Sequence, residues 1–329
     1  MDRFDGLAVV VTGGAGFIGS HLTEQIVGEG PASVAVIDDL STGTAENLAR
    51  VRQYIDFVKG DVCNPAVAQA AAGADVVFHL AVRNVRASIK RPLENFGVNA
   101  NGTLEVLEAM RRGARGRFVY VSSSEVYGVP PSGEFREDVA CAPTTVYGAG
   151  KLAGELIALA YHRTYGMKTQ VVRPFNTFGP RSHFEGDSGE VIPKFVLRAL
   201  AGKPLLVHGD GAQTRDFSYV SDTARWLLAL ATTEEAVGEI VNIGAGQDMA
   251  ILDVARKVLA ATGSASEVVH VDPRPGDLPR LCADVRKVAS MLPFRASVGF
   301  SRGLDETIRH FSSADIDLLL SKESERNWM

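Results

Sequence analysis

Cysteine is scarce in this chain: Cys63, Cys141 and Cys282 are the three in 329 residues, with no C-x-x-C and no cysteine–histidine cluster. That spacing argues against a disulfide framework or a structural zinc and fits a reducing compartment, so no metal is expected. No apolar run reaches the roughly 18 residues a membrane helix needs. The opening MDRFDGLAVVVTGG carries acids where a secretory signal would carry bases, so a cytoplasmic protein without membrane contact is expected. Positive charge is not in excess either. The formal net charge is −5, and no basic field invites nucleic acid.

What is present is ordinary globular composition, 46% hydrophobic and 22% charged, long enough for one large domain or two lobes. Short β-branched runs predict strands at Leu7–Thr12, Ser33–Ile37, Asp56–Lys59, Asp75–Leu80, Arg117–Ser122 and Thr169–Arg173. Helical patterns lie between them at Ser20–Glu29, Val67–Ala72, Ala100–Arg112 and Val146–Tyr165. This alternation predicts an α/β fold, a doubly wound parallel sheet over residues 1–175. From 176 to 315 the texture changes, with helices expected near Ile192–Ala201 and Ile251–Ala261. Strands are expected there near Leu205–His208, Glu239–Ile243 and Val268–Val271. The segment reads as a smaller lobe interleaved with the last parts of the sheet. Residues 316–329 read as a tail, a loosely packed helix or a frayed end.

Gly13, Gly16 and Gly19 stand directly between the first strand and the first helix. Glycine there permits a tight turn and close backbone approach to a pyrophosphate at a helix N-terminus. An acid should then close the second strand and hold the adenosine ribose, and Asp38, followed by Asp39, is in place. A carboxylate there repels a 2′-phosphate, so NAD is favoured over NADP.

Tyr147 and Lys151 are four apart and share one face of a predicted helix. A tyrosine hydroxyl with pKa near ~10 is a poor base at neutral pH. A nearby ammonium and an oxidised nicotinamide favour the phenolate and make it a useful one. Ser122–Ser124 follow a strand upstream. A hydroxyl there can hydrogen-bond the substrate oxygen, Ser123 being better placed and Ser124 second.

These motifs recur in order along residues 6–310: TGGAGFIG, Asp38-Asp39, GDV, HLA, NANGTL, SSSEVYG, Y-x-x-x-K, RPFNTFGPR, VIPKF, DGAQTRDFSYVSD and RPGD. In that series the chain resembles the extended short-chain dehydrogenase/reductases, specifically NAD-dependent nucleotide-sugar epimerases and dehydratases. The resemblance implies that Gly13, Gly16, Phe17, Ile18, Asp38, Asp39, Asp61, Val62, Leu80 and Ala81 bind NAD. It adds Asn99, Ser122, Tyr147, Lys151 and Pro174 to that set. It implies that Asn176, Val191, His208, Arg215, Arg274 and Asp277 bind the nucleotide diphosphate, where the arginines can fork onto phosphate oxygens. It further implies a homodimer.

The shared first step is oxidation at C4 of the sugar to a 4-keto intermediate, with Tyr147 taking the hydroxyl proton. VIPKF and DGAQTRDFSYVSD look closest to UDP-sugar epimerases, which favours 4-epimerisation of a UDP-hexose by hydride return to the opposite face. Glu125 keeps an alternative open. A carboxylate there can take a C5 proton, as in nucleotide-sugar dehydratases, and UDP-glucuronate decarboxylases commonly carry an acid there too. Ser124 replaces the aspartate of many dTDP-glucose dehydratases. Arg83 and Arg86 stand where the family often has small residues and are candidates for a phosphate or a substrate carboxylate, or plain loop charges. Leu281 matches a position limiting the sugar's C2 substituent. A non-catalytic NAD-sensing protein is the remote alternative, disfavoured because Ser123, Tyr147, Lys151, Arg215 and Arg274 are all kept.

Overall fold

Near-continuous apolar runs form six parallel strands: β1 (Ala8–Thr12), β2 (Ser33–Asp38), β3 (Asp56–Lys59), β4 (Val76–His79), β5 (Arg117–Val121) and β6 (Lys168–Pro174). The structure, a computed structural model, describes residues 4–113, 116–129, 135–186, 189–274 and 277–323. A seventh parallel strand, Ile240–Ile243, joins the edge beside β6, giving the spatial order β3-β2-β1-β4-β5-β6 and then Ile240–Ile243. The order reverses between β1 and β4, so a crevice opens there beyond the carboxyl ends of the strands.

Helices cover both faces, which is why the central strands lack polar alternation. On one face Leu22 and Ile26 of the helix Phe17–Gly28 pack with Trp226, Leu227 and Leu230 of the helix Val220–Thr232. On the other, Val106, Leu107 and Met110 of Thr103–Gly113 pack with Ala158 and Leu159 of Val146–Tyr165. A third core lies in the smaller lobe, where Phe195 and Val196 meet Val254, Val258, Leu304 and Phe311. The short ladders of that lobe pair Leu205–His208 with Val268–Val271, and Thr214–Asp216 with both Asp248–Ala250 and Arg280–Leu281.

Several elements differ from expectation for physical reasons. The first helix begins at Phe17, not Ser20, because Gly19 belongs inside it: a Cβ there would strike the Gly13 carbonyl. The expected helix at Ala100–Arg112 begins at Thr103, after the short helix Pro92–Phe96 and a π-helical turn, Gly97–Gly102. Val67–Ala72 is a single turn, Pro65–Ala68, tightened into a 3-10 turn. Val220–Thr232, not anticipated, is a helix with ten of its thirteen residues buried. The tail contains a seated helix, Ile316–Glu323, with Leu320 in the third core and Glu323 paired to Arg198 at 3.1 Å. No described helix is long and apolar enough to cross a membrane.

Candidate active site

The glycine turn leaves β1 and enters the first helix with Gly13 at φ 69°, the left-handed region. A Cβ on Gly13 would sit 2.7 Å from the Ala81 amide nitrogen, so only glycine lets the turn lie against the end of β4. That end is fixed by a buried polar chain. Ala81 N–H donates to Thr12 Oγ1 (3.1 Å), which contacts His79 Nδ1 (2.7 Å), while His79 Nε2 meets Thr103 Oγ1 (3.1 Å). Thr103 donates its own proton to the Asn99 carbonyl, so it accepts from His79, whose Nδ1 therefore accepts from Thr12. Burial pushes the imidazole down to about 3; the ring is a neutral relay that holds the cradle in shape.

One continuous cavity, about 540 Å³, runs from this cradle into the smaller lobe. Gly13, Gly16, Phe17, Ile18, Asp38, Asp39, Asp61, Val62, Leu80, Ala81 and Pro174 line one end. Asp38 accepts from the amides of Ala15 (2.9 Å) and Leu40 (2.8 Å), and burial holds its carboxyl above the usual range. Asp39 is tied instead to Arg83, at 2.6 Å. Asn99 does not line the cavity. Its amide is buried, accepting from Arg83 N at 2.9 Å and donating to Asn95 Oδ1 at 3.1 Å. The π-helical turn carrying Asn99 aims its side chain at the Arg83 loop. The Arg83 guanidinium lies on Asp39, Ser41 and Glu94; neither of its expected anions is needed to satisfy it. The Arg86 side chain lies outside the described residues.

The expected catalytic residues Ser123, Tyr147 and Lys151 line the same cavity. Thr145 caps the helix Val146–Tyr165 by accepting from Gly148 N, and Gly166 ends it in the left-handed region. Tyr147, Lys151 and Glu155 follow at four-residue spacing and meet three successive residues where β5 ends. Tyr147 shares a hydrogen bond with Ser123. Lys151 Nζ donates to Val121 O at 2.6 Å, and Glu155 accepts from Ser122 Oγ at 2.5 Å. The Ser122 hydroxyl is thus turned to Glu155, and Ser123 is the serine that meets the tyrosine. Ser124 and Glu125 also line the cavity.

Burial dominates the titration of both reactive groups. It raises Tyr147 to about 12, with Glu125 adding to the rise and Ser123 opposing it. It lowers Lys151 to about 7, with Glu155 opposing. A bound cation near Tyr147 would favour its phenolate.

At the far end Asn176, Val191, His208, Arg215, Arg274 and Asp277 line the cavity together. Arg215 and Asp277 are paired with each other. Leu281 lies off the cavity, buried with Val126, Tyr127, Phe135 and Phe175. Residues not anticipated also line this end, among them His183, Glu190, Lys194 and Phe217. Glu190 immediately precedes VIPKF and Phe217 lies inside DGAQTRDFSYVSD; those motifs were the available signal. No group of three or more metal-ligating side chains occurs among the described residues.

Residues 9–244 match the model of the NAD dependent epimerase/dehydratase family. The chain is 37% identical to a dTDP-glucose 4,6-dehydratase of Streptomyces niveus, covering 93% of each. It is 34% identical to a UDP-N-acetyl-alpha-D-glucosaminuronate decarboxylase of Bacillus cytotoxicus, covering 94% of this chain and 98% of that one. Its fold superposes on an epimerase of Methanothermobacter thermautotrophicus with a TM-score of 0.90, at 35% identity over 97% of this chain and 96% of that one. The glycine cradle that a Cβ would fill suits the pyrophosphate of the cofactor this family uses. The chain belongs to the NAD-dependent epimerase/dehydratase family, with NAD as its cofactor.

Proposed function

We propose that the protein is a nucleotide-sugar 4-epimerase acting on a UDP-hexose. The observation that carries this reading is the hydroxyl of Ser124 beside Glu125 in the cavity wall. Expelling water from C6 needs an acid to protonate the leaving oxygen, and a serine is not one. Epimerisation needs no such acid.

NAD, when bound, supplies reversible hydride transfer at C4. Tyr147 takes the C4 hydroxyl proton and returns it, and Ser123 holds the same oxygen in place. Lys151 stabilises the phenolate and steadies the end of β5 through Val121 O. Arg215 and Arg274 grip the diphosphate, with Asn176, Val191 and His208 around the nucleotide. Asp277, paired with Arg215, orients that guanidinium and turns to the ribose only if the pair opens.

A second reading rests on Glu125, whose carboxylate raises Tyr147 and lines the same cavity. There it would serve a dehydratase, or a decarboxylase acting on a uronic acid. The test is a panel of UDP-glucose, UDP-galactose, UDP-N-acetylglucosamine, UDP-glucuronate and dTDP-glucose, with no cofactor added and products identified by mass. An isomer of unchanged mass supports epimerisation. Loss of water or of carbon dioxide overturns it in favour of the second reading. Retained NAD without turnover on any sugar leaves only a sensing role.

We further propose a cytoplasmic homodimer. A row of exposed apolar side chains supports the dimer: Ile89, Leu93, Phe96, Leu104 and Leu156 lie on adjoining helices.

A further inference from the structure

We propose that Arg83 is a clamp across the adenosine end of the cavity that sets how slowly NAD leaves. The proposal rests on NAD being the resident cofactor. Arg83 follows the HLA segment and its side chain is only 12% exposed. Its guanidinium joins three separate segments. NH2 reaches Asp39 beyond β2 at 2.6 Å, and NH1 reaches Ser41 Oγ, also at 2.6 Å. Asp61, beyond β3, lies 3.8 Å away, and Nε donates to Glu94 of the helix Pro92–Phe96 at 2.8 Å.

The backbone beneath this fork is fixed as well. Arg83 N donates to Asn99 Oδ1, and Arg83 O accepts from Asn95 Nδ2 (3.0 Å) and Asn99 Nδ2 (3.2 Å). Asn95 and Asn99 are both buried. With its peptide pinned, the side chain leaves its place only by breaking the fork. Arg83 stands among three carboxylates, of which only Glu94 has a second cation among the described residues, Arg91 at 3.0 Å; without Arg83, Asp39 and Asp61 would repel each other and the cofactor's pyrophosphate. Asp39, Ser41, Asp61 and Arg83 all line the cavity, so the fork forms its lip. A dinucleotide leaving that way must part the segments that the fork joins.

The experiment measures cofactor release. Protein loaded with NADH is diluted into excess NAD, and the loss of bound-NADH fluorescence is followed in the wild type, Arg83→Met, Arg83→Lys and Glu94→Gln. Arg83→Met should release at least about tenfold faster, the scale of a charge-assisted fork. Arg83→Lys should be intermediate, since it keeps the charge and loses the fork. Glu94 is outside the cavity wall, so faster release from Glu94→Gln acts through the clamp. Rising salt should speed release from the wild type but not from Arg83→Met, where it screens the repulsion among the carboxylates instead. Thermal melting of the saturated proteins checks that each variant folds, with Glu94→Gln as the mildest. Release within about twofold of wild type in every variant, with no salt dependence, overturns the clamp. A wild type that binds no NAD(H) overturns instead the cofactor assignment beneath it.

Discussion

Glu155 and Arg173 face each other behind the reactive centre, joined by two hydrogen bonds of 2.8 and 2.6 Å and almost wholly removed from water. Arg173 also lies over the Tyr127 ring at 4.6 Å, and Glu155 holds Ser122. The pair therefore locks β6, the end of β5 and the tyrosine helix into one unit. Position of the reactive groups and stability of the fold are linked through it.

Removing one partner should be costly. Glu155→Gln leaves the Arg173 guanidinium buried with its counter-charge gone, and a loss of about 3–5 kcal/mol follows for an orphaned buried ion. Replacing both, as Glu155→Leu with Arg173→Met, should recover most of that loss, because the desolvation of two charges disappears with the pair. Urea unfolding measures both. A single variant within about 1 kcal/mol of wild type would show that the pair is not holding these elements.

The two reactive groups carry opposite shifts from the same cause. Tyr147 is raised to about 12 and Lys151 lowered to about 7 by burial. With Tyr147 as the proposed base, turnover should rise with pH. Lys151, lowered to about 7, is charged only below that, so Lys151→Met removes the charge that favours the phenolate and delays the rise at and below neutral pH. Turnover at neutral pH should fall by about a hundredfold or more, the scale of a positioned proton-transfer group. Tyr147→Phe should fall further while keeping NAD. A pH–rate profile of Lys151→Met superimposable on wild type would refute this coupling.

Gly13→Ala should yield protein without cofactor. The backbone at φ 69° and the 2.7 Å approach to Ala81 N leave no room for a methyl group, and strain of this kind costs on the order of 1–3 kcal/mol. The absorbance ratio of the purified protein and the nucleotide released on denaturation measure the outcome. Wild-type NAD content in Gly13→Ala would mean that the turn does not hold the pyrophosphate.

Local signals were legible in the sequence and distant partnerships were not. Val146–Tyr165 could be bounded because Thr145 caps one end and Gly166 the other, and the i,i+4 spacing already placed Tyr147 beside Lys151. The helix Val220–Thr232 was not anticipated, since its start at Tyr219 has no side-chain cap to mark it. Arg83 read as a spare cation because its partners Asp39 and Glu94 are 44 and 11 residues away. Asn99, expected at the cofactor, also anchors the Arg83 peptide 16 residues away, a partnership no local pattern shows. Arg215 and Asp277, each assigned to the same nucleotide, are found paired with each other, which a search for ligand contacts alone does not anticipate.

The proposed dimer has a direct test in its exposed side chains. Leu93 is 90% exposed on the helix Pro92–Phe96, and Leu156 is 60% exposed on the tyrosine helix. Those two helices pack side by side, so the two leucines extend one apolar surface, and a second copy of the chain would bury it. The wild type should therefore sediment as a dimer at micromolar concentration. Leu93→Glu with Leu156→Glu would place two like charges on each copy of the joined surface, and that protein should sediment as a monomer with its fold intact by circular dichroism. A wild type that sediments as a monomer would remove the dimer. A double variant that stays dimeric would move the interface elsewhere on the molecule.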